Sequence, residues 1–160
     1  MYVTVVDLGV GNTASVMFAL ERLGAKARLT RETAAIAEAS RLILPGVGAA
    51  AFAMQRIGAL ELARILRRFE RPLLGICLGQ QLFYESSDEG DAAGLGLIPG
   101  RVRRLETAPE RPVPHIGWNR LRRERSDPLL EAVEDGAFVY FVHGYACPLG
   151  EATLASADYG

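Results

Sequence analysis

The sequence predicts an α/β fold, a mostly parallel central sheet with helices on both faces, and two observations carry that expectation. Short apolar runs at 2–7, 26–29, 41–44 and 73–76 alternate with helical stretches, the order that builds parallel strands joined by crossover helices. The fourth run passes through Gly75-Ile76-Cys77-Leu78-Gly79 straight into a helical stretch, so strand and helix must meet in one tight corner. At 160 residues the chain fits one domain, and a chain of that size buries roughly 68–70% of its unfolded surface without a staple.

Residues 2–7 read as a buried, β-rich first strand, and Gly9 and Gly11 open a loop before a helix over 13–24 with Val16, Leu20 and Leu23 on its apolar face. A second strand is expected at 26–29, a short helix capped by Thr33 at 33–39, and a third strand at 41–44. Pro45-Gly46-Val47-Gly48 follows, then a helical region over 49–69 with a break at Gly58. Beyond Ser87 the character changes to shorter strands at 95–98, 102–105, 114–118, 138–142 and 152–155, separated by Gly and Pro turns.

The Gly-x-Cys-x-Gly spacing has a steric reading. Glycine at minus two and plus two lets strand meet helix in a turn too tight for a Cβ on either side, leaving the middle side chain strained and presented. A core cysteine closing a central strand would gain nothing from those glycines. At the start of a helix, unpaired N–H groups favour an anion, so Cys77 is expected to be a nucleophile. In such sites the oxyanion is held by the N–H after the nucleophile and by the loop after the third strand. Here those are Leu78 and the loop containing Gly46, Val47 and Gly48. A cysteine hydrolase also needs a base, and the sequence offers two histidines, His115 and His143, neither in a setting that marks it as one.

Composition narrows the classes. Formal charge is −1 and 49% of residues are hydrophobic, which points away from nucleic-acid and membrane-surface binding. The opening residues lack a basic stretch ahead of an apolar run, so neither signal peptide nor membrane span is expected. Cys77 and Cys147 form no disulfide framework and suit a reducing, cytoplasmic compartment. One competing motif is Gly9-Val10-Gly11-Asn12-Thr13-Ala14, a G-x-G-x-x-A dinucleotide fingerprint with Glu32 as its ribose acid. Its first glycine crowds the strand and the acid falls past the second strand, so it is the weaker signal.

Five stretches carry a resemblance across nearly the whole chain: Asp7-Leu8-Gly9-Val10-Gly11-Asn12, Leu44-Pro45-Gly46-Val47-Gly48, Gly75-Ile76-Cys77-Leu78-Gly79-Gln80-Gln81-Leu82, Pro114-His115-Ile116-Gly117-Trp118-Asn119 and Tyr140-Phe141-Val142-His143-Gly144-Tyr145. On these the sequence resembles class I glutamine amidotransferase domains, of flavodoxin-like architecture. Within them it is similar to the glutaminase subunits of imidazole glycerol phosphate synthases, enzymes of histidine biosynthesis. The resemblance implies that Cys77 attacks the side-chain amide of glutamine, that a thioester is hydrolysed to glutamate, and that ammonia passes to a (β/α) barrel synthase subunit in a heterodimer. It implies a substrate pocket that includes Gln81, Glu89, His143, Gly144 and Tyr145, and a partner interface that includes Asn12, His115, Trp118 and Asn119. It calls for no cofactor and no metal.

The family's His-Pro-Glu segment, which carries the base histidine and the glutamate that orients it, does not occur in the sequence. The expectation is a domain over 1–160 whose missing segment lies past Gly160. The alternative is a non-catalytic scaffold or regulatory subunit.

Overall fold

Four strands, β1 (Tyr2–Val6), β2 (Lys26–Thr30), β3 (Leu42–Gly46) and β4 (Leu73–Cys77), form an all-parallel sheet in the order β2-β1-β3-β4. Crossovers run through α1 (Thr13–Arg22), α2 (Thr33–Ala37), and the pair α3 (Ala50–Ala59) and α4 (Ala63–Arg67); β4 leads into the short α5 (Leu78–Gln81). This is a computed structural model that describes residues 1–9, 11–46 and 48–159. The chain divides into two compact units, Met1–Val102 and Arg103–Gly160.

In the first unit the pleat of the strands assigns side chains to two cores. Val3, Val5 and Ile43 point to one face and pack with Leu20, Val16 and Met17 of α1. Val6, Leu42 and Leu44 point to the other and pack with Ile36 of α2, Ala53 and Ile57 of α3, and Leu66 of α4. The parallel sheet with helices on both faces is therefore present as expected. Full burial of each such aliphatic side chain contributes about 1.5–3 kcal/mol.

Helix ends show where sequence expectations slipped. α1 stops at Arg22 because Gly24 adopts φ 66°, with Gly24 N–H donating to Glu21 and Ala25 N–H to Leu20, a Schellman closure that requires a left-handed residue. Leu23, expected on the apolar face, is left 78% exposed, and Met17 packs there in its stead. The break in the 49–69 region falls after Ala59 and not at Gly58. Glu61 takes φ 55°, its N–H donates to Gly58, and Leu62 N–H donates to Ile57, so the buried Leu62 closes the same motif against Ile57. At α2 the capping position is Glu32 without a side-chain bond, so Thr33 begins the helix and does not cap it.

The first unit continues through β5 (Tyr84–Ser87), β6 (Ala92–Ala93) and the start of β7 (Ile98–Arg104), whose last two residues belong to the second unit; β5 is parallel to β7 and antiparallel to β6. The strand expected at 95–98 is instead a connection: Leu95 N–H donates to Leu82, and Leu97 and Ile98 N–H both donate to Phe83. The strand expected at 102–105 is the second half of β7. β5 and β6 went unforeseen because Glu85, Ser86 and Ser87 carry no apolar alternation.

The second unit is built of antiparallel ribbons. β8 (His115–Arg120) pairs with β10 (Phe138–His143), β9 (Arg122–Arg123) with β12 (Ala155–Ser156), and β11 (Tyr145–Ala146) with Arg103 and Arg104. Expected strands at 114–118 and 138–142 are present with small shifts, whereas the one expected at 152–155 reduces to the two residues of β12. Among the described residues of this unit no hydrophobic side chain is fully buried. No helix among the described residues is long and apolar enough to cross a membrane.

Candidate active site

The corner between β4 and α5 is built by glycine. A Cβ on Gly75 would lie 2.5 Å from the Gln80 nitrogen, one on Gly79 1.9 Å from the Leu44 carbonyl oxygen, and one on Gly46 2.5 Å from the Gly79 nitrogen. All three obstacles are backbone, which cannot swing aside, so each site admits only glycine. With its neighbours stripped of side chains, α5 drops onto the end of β3, and the backbone between strand and helix must reverse at a single residue.

That residue is Cys77, at φ 54° and ψ −117°. For a side chain bearing a Cβ this conformation costs roughly 1–3 kcal/mol, and it persists only where the surroundings enforce it. The thiol is exposed. The strained, presented side chain expected from sequence is thus what the fold makes, and a buried core cysteine is not.

Register places the loop after β3 beside this corner: Gly46 is the partner of Cys77, and Pro45 of Ile76. Gly46 is buried and Gly48 adopts φ 88°, so the chain turns immediately past the cysteine. Leu78 opens α5, where the first amides have no acceptor within the helix. Gly46 and Leu78, two of the residues expected to supply oxyanion donors, are thus the strand partner and the chain successor of Cys77, with Gly48 at the turn. Val47 lies outside the described residues. α5 itself is four residues long, so its contribution is these local N–H groups and not a macrodipole.

Glu89, expected to hold the amino-acid end of glutamine, has a structural duty as well. One of its carboxylate oxygens accepts from Ala50 N–H at 2.7 Å, which pins the first turn of α3 just after the loop at 46–48. The segment carrying Glu89 is itself held: Arg101 donates to Asp88 at 2.6 Å and to Asp91 at 2.6 Å, and Glu89 N–H donates to Ser87 Oγ. Sequence reasoning did not find Ala50, Asp88 or Arg101 as supports of the site. The Glu89 to Ala50 bond joins residues 39 apart, and no local pattern announces such a pairing. Gln81 is half-buried at the end of α5.

The remaining expected residues belong to the second unit, apart from Asn12. His143, Gly144 and Tyr145 form the link between β10 and β11. His143 Nδ1 lies 2.8 Å from the Tyr145 carbonyl and its Nε2 lies 3.1 Å from His115 Nδ1. Both ring nitrogens of His143 are engaged, and His115 is buried, so neither stands as a free base. Burial and the adjacent His143 ring hold the His115 imidazole below the ordinary histidine value.

Burial also corrects one expectation: His115 is 5% exposed and does not face a partner itself. Trp118 does present a surface, 68% exposed with its ring edge-on to Tyr140 at 5.5 Å. Asn119 donates to the Asp158 carbonyl at 2.8 Å. Asn12, in the first unit, is exposed and caps α1 by accepting from Ser15 N–H at 3.2 Å.

The rival dinucleotide motif finds no support among the described residues. Asp7 accepts from Gly9 N–H at 2.7 Å and pairs with Arg31, whose guanidinium holds the Asp7 carboxyl below the usual range. Arg56 donates to the Leu8 carbonyl at 3.0 Å, so the start of this loop is tied down by two arginines. Glu32 sits past the end of β2, at the head of α2, and Val10 lies outside the described residues.

Comparison with known proteins converges on one group. Residues 4–157 match the family model described as glutamine amidotransferase class-I. The chain is 51% identical over 158 residues to imidazole glycerol phosphate synthase subunit HisH of Xylella fastidiosa (strain Temecula1 / ATCC 700964), covering 99% of this chain and 79% of that one. It is 49% identical, with the same coverage, to the protein of that name from Xanthomonas axonopodis pv. citri (strain 306). Among solved structures, a crystal structure of a glutamine amidotransferase superposes with a TM-score of 0.73 at 20% identity, over 96% of this chain and 78% of that one. The glutaminase domain of Trypanosoma brucei CTPS gives 0.61 at 15% identity, over 91% and 67%. At these identities the two structures speak for the fold alone.

Proposed function

Because the chain belongs to the class I glutamine amidotransferase family, we propose that it is the glutaminase subunit of imidazole glycerol phosphate synthase, an enzyme of histidine biosynthesis. The carrying observation is the exposed Cys77 in its strained conformation, with Gly46 opposite and Leu78 following. A scaffold without chemistry has no reason to hold a cysteine in strain at the tip of a strand.

In this reading the Cys77 sulfur adds to the carboxamide carbon of glutamine and the carbonyl oxygen becomes an oxyanion. The Leu78 N–H and an amide of the 46–48 loop receive that charge, and each donor lowers the barrier by about 3 kcal/mol. The C–N bond breaks, the NH2 group leaves as ammonia with the proton that the thiol gave up, and a thioester remains. Water then opens the C–S bond to give glutamate and restore the thiol. His115 and His143 are not given the proton transfers, since one is buried and the other is engaged through both nitrogens.

On the family's pattern Gln81, Glu89, His143, Gly144 and Tyr145 receive the amino-acid end of glutamine. Ammonia passes to a (β/α) barrel synthase subunit in a cytoplasmic heterodimer, with Asn12, Trp118 and Asn119 as contact residues. An exposed indole supported by a second aromatic ring makes a good interface anchor. The test is Cys77→Ser in the protein assembled with its synthase partner. Glutamine-dependent product formation should fall by about a thousandfold or more while ammonia-dependent formation stays intact; equal loss of both would reject the reading.

A further inference from the structure

The two histidines of the second unit form a directed pair that the elbow chemistry does not use. The Tyr145 carbonyl can only accept, so His143 Nδ1, 2.8 Å from it, carries a proton. In the neutral ring Nε2 is then an acceptor, and His115 Nδ1, 3.1 Å away, is the donor. Direction is set from end to end: His115 to His143, His143 to Tyr145.

His115 is fixed in this role by its surroundings. The β8–β10 register sets it opposite His143, and its ring stacks against Tyr159 at a centroid distance of 3.8 Å and Phe141 at 5.0 Å. The backbone it acts on is also held by the β11–β7 ladder, in which Tyr145 is the partner of Arg104. A Cβ built on Gly144 would meet one atom, a Val113 methyl at 3.7 Å, and the Gly144 carbonyl is held by Leu105 N–H at 3.0 Å. A metal does not explain the pair, since no group of three or more His, Cys, Asp or Glu side chains able to hold one occurs among the described residues.

Resting on the glutaminase reading, we infer that His115 is a positioning residue for glutamine: through His143 it holds the Tyr145 carbonyl, and with it the Gly144-Tyr145 corner that receives the substrate's amino-acid end. Its effect is on binding and not on the cysteine chemistry. A role in packing alone would be served by any flat ring between Phe141 and Tyr159, whereas this role needs an N–H.

The experiment uses His115→Phe and His115→Asn in the protein assembled with its synthase partner. Phenylalanine keeps the stack and removes the donor; asparagine returns an N–H near the Nδ1 position. His115→Phe should raise KM for glutamine about tenfold, with kcat and ammonia-dependent synthesis nearly unchanged, and His115→Asn should recover most of that loss. An unchanged KM in His115→Phe, or no recovery in His115→Asn, overturns the inference. Nitrogen-15 NMR of the unaltered enzyme is an independent check: His143 should rest with its proton on Nδ1, and finding it on Nε2 overturns the inference without any variant. Glutamine turnover that survives Cys77→Ser would instead sink the underlying reading, an outcome distinguishable from all of these.

Discussion

The two units hold their shape by different means. Met1–Val102 contains every fully buried hydrophobic side chain among the described residues, most of them in two cores on either side of a parallel sheet. Among its described residues Arg103–Gly160 has none and buries His115, and its order comes from ladder hydrogen bonds and stacked rings. On the proposed function the contrast has a reason: a nucleophile held in strain needs a rigid frame to enforce it, and Cys77 stands on the cored unit. Residues that receive a substrate or a partner can sit on ribbons that give, provided specific polar contacts set their geometry.

The sharpest test of that contrast is Gly79→Ala. Its new methyl would collide with the Leu44 carbonyl at 1.9 Å, so α5 must lift from β3 or the elbow must open. The expected loss is about 3 kcal/mol or more of stability together with glutamine hydrolysis, read by denaturant melts and product assay. Wild-type stability in this variant would show that the first unit is not rigid where it matters.

Next in size is a matched pair of truncations. Ile57→Ala, in the core beneath the sheet, should cost about 2–5 kcal/mol. Val139→Ala, half-buried on β10, should cost under about 1 kcal/mol by the same melts. Equal costs would erase the distinction between the units.

Trp118→Ala probes the ribbon as a surface. With the indole 68% exposed, its removal should leave the melting temperature unchanged while weakening partner affinity by about 10–100-fold in calorimetry. Lost stability with intact affinity would make Trp118 a residue of the fold and not of the interface.

The smallest effect expected is a pH dependence. The folded state holds His115 below its ordinary value of about 6.5, so it binds fewer protons than the unfolded chain just below that pH. Stability from this source is full above about pH 6.5 and declines as pH falls toward the folded value. Asp7, also held low, loses stability at more acidic pH. Comparing melts at about pH 7.5 and about pH 5.5, wild type should lose more than His115→Phe; equal losses would mean that the imidazole is not kept neutral by the fold.

Much of the site was legible because it rests on local necessity. Gly75 and Gly79 flank Cys77 at fixed spacing, and only a corner too tight for side chains explains that spacing, so strand, turn and exposed thiol all follow from it. Gly46 could be matched to the same corner by its place after the third strand. What stayed hidden was long-range or polar. The Glu89 bond to Ala50, the clamp of Arg101 on Asp88 and Asp91, and the pairing of His115 with His143 join residues whose neighbours in sequence carry no mark of them. Strand β5, polar in composition, is held by its neighbours and not by its own pattern.

By itself the sequence determined the alternation of strands and helices, the family, and the residue presented at the tight corner, because periodicity and glycine spacing act over a few residues at a time. Tertiary structure alone decided that Cys77 takes φ 54°, that Gly46 is its strand partner, and that His115 lies buried against His143 instead of facing a partner. Those outcomes depend on which strands lie side by side and in what register, and register is settled by the packing of the whole sheet.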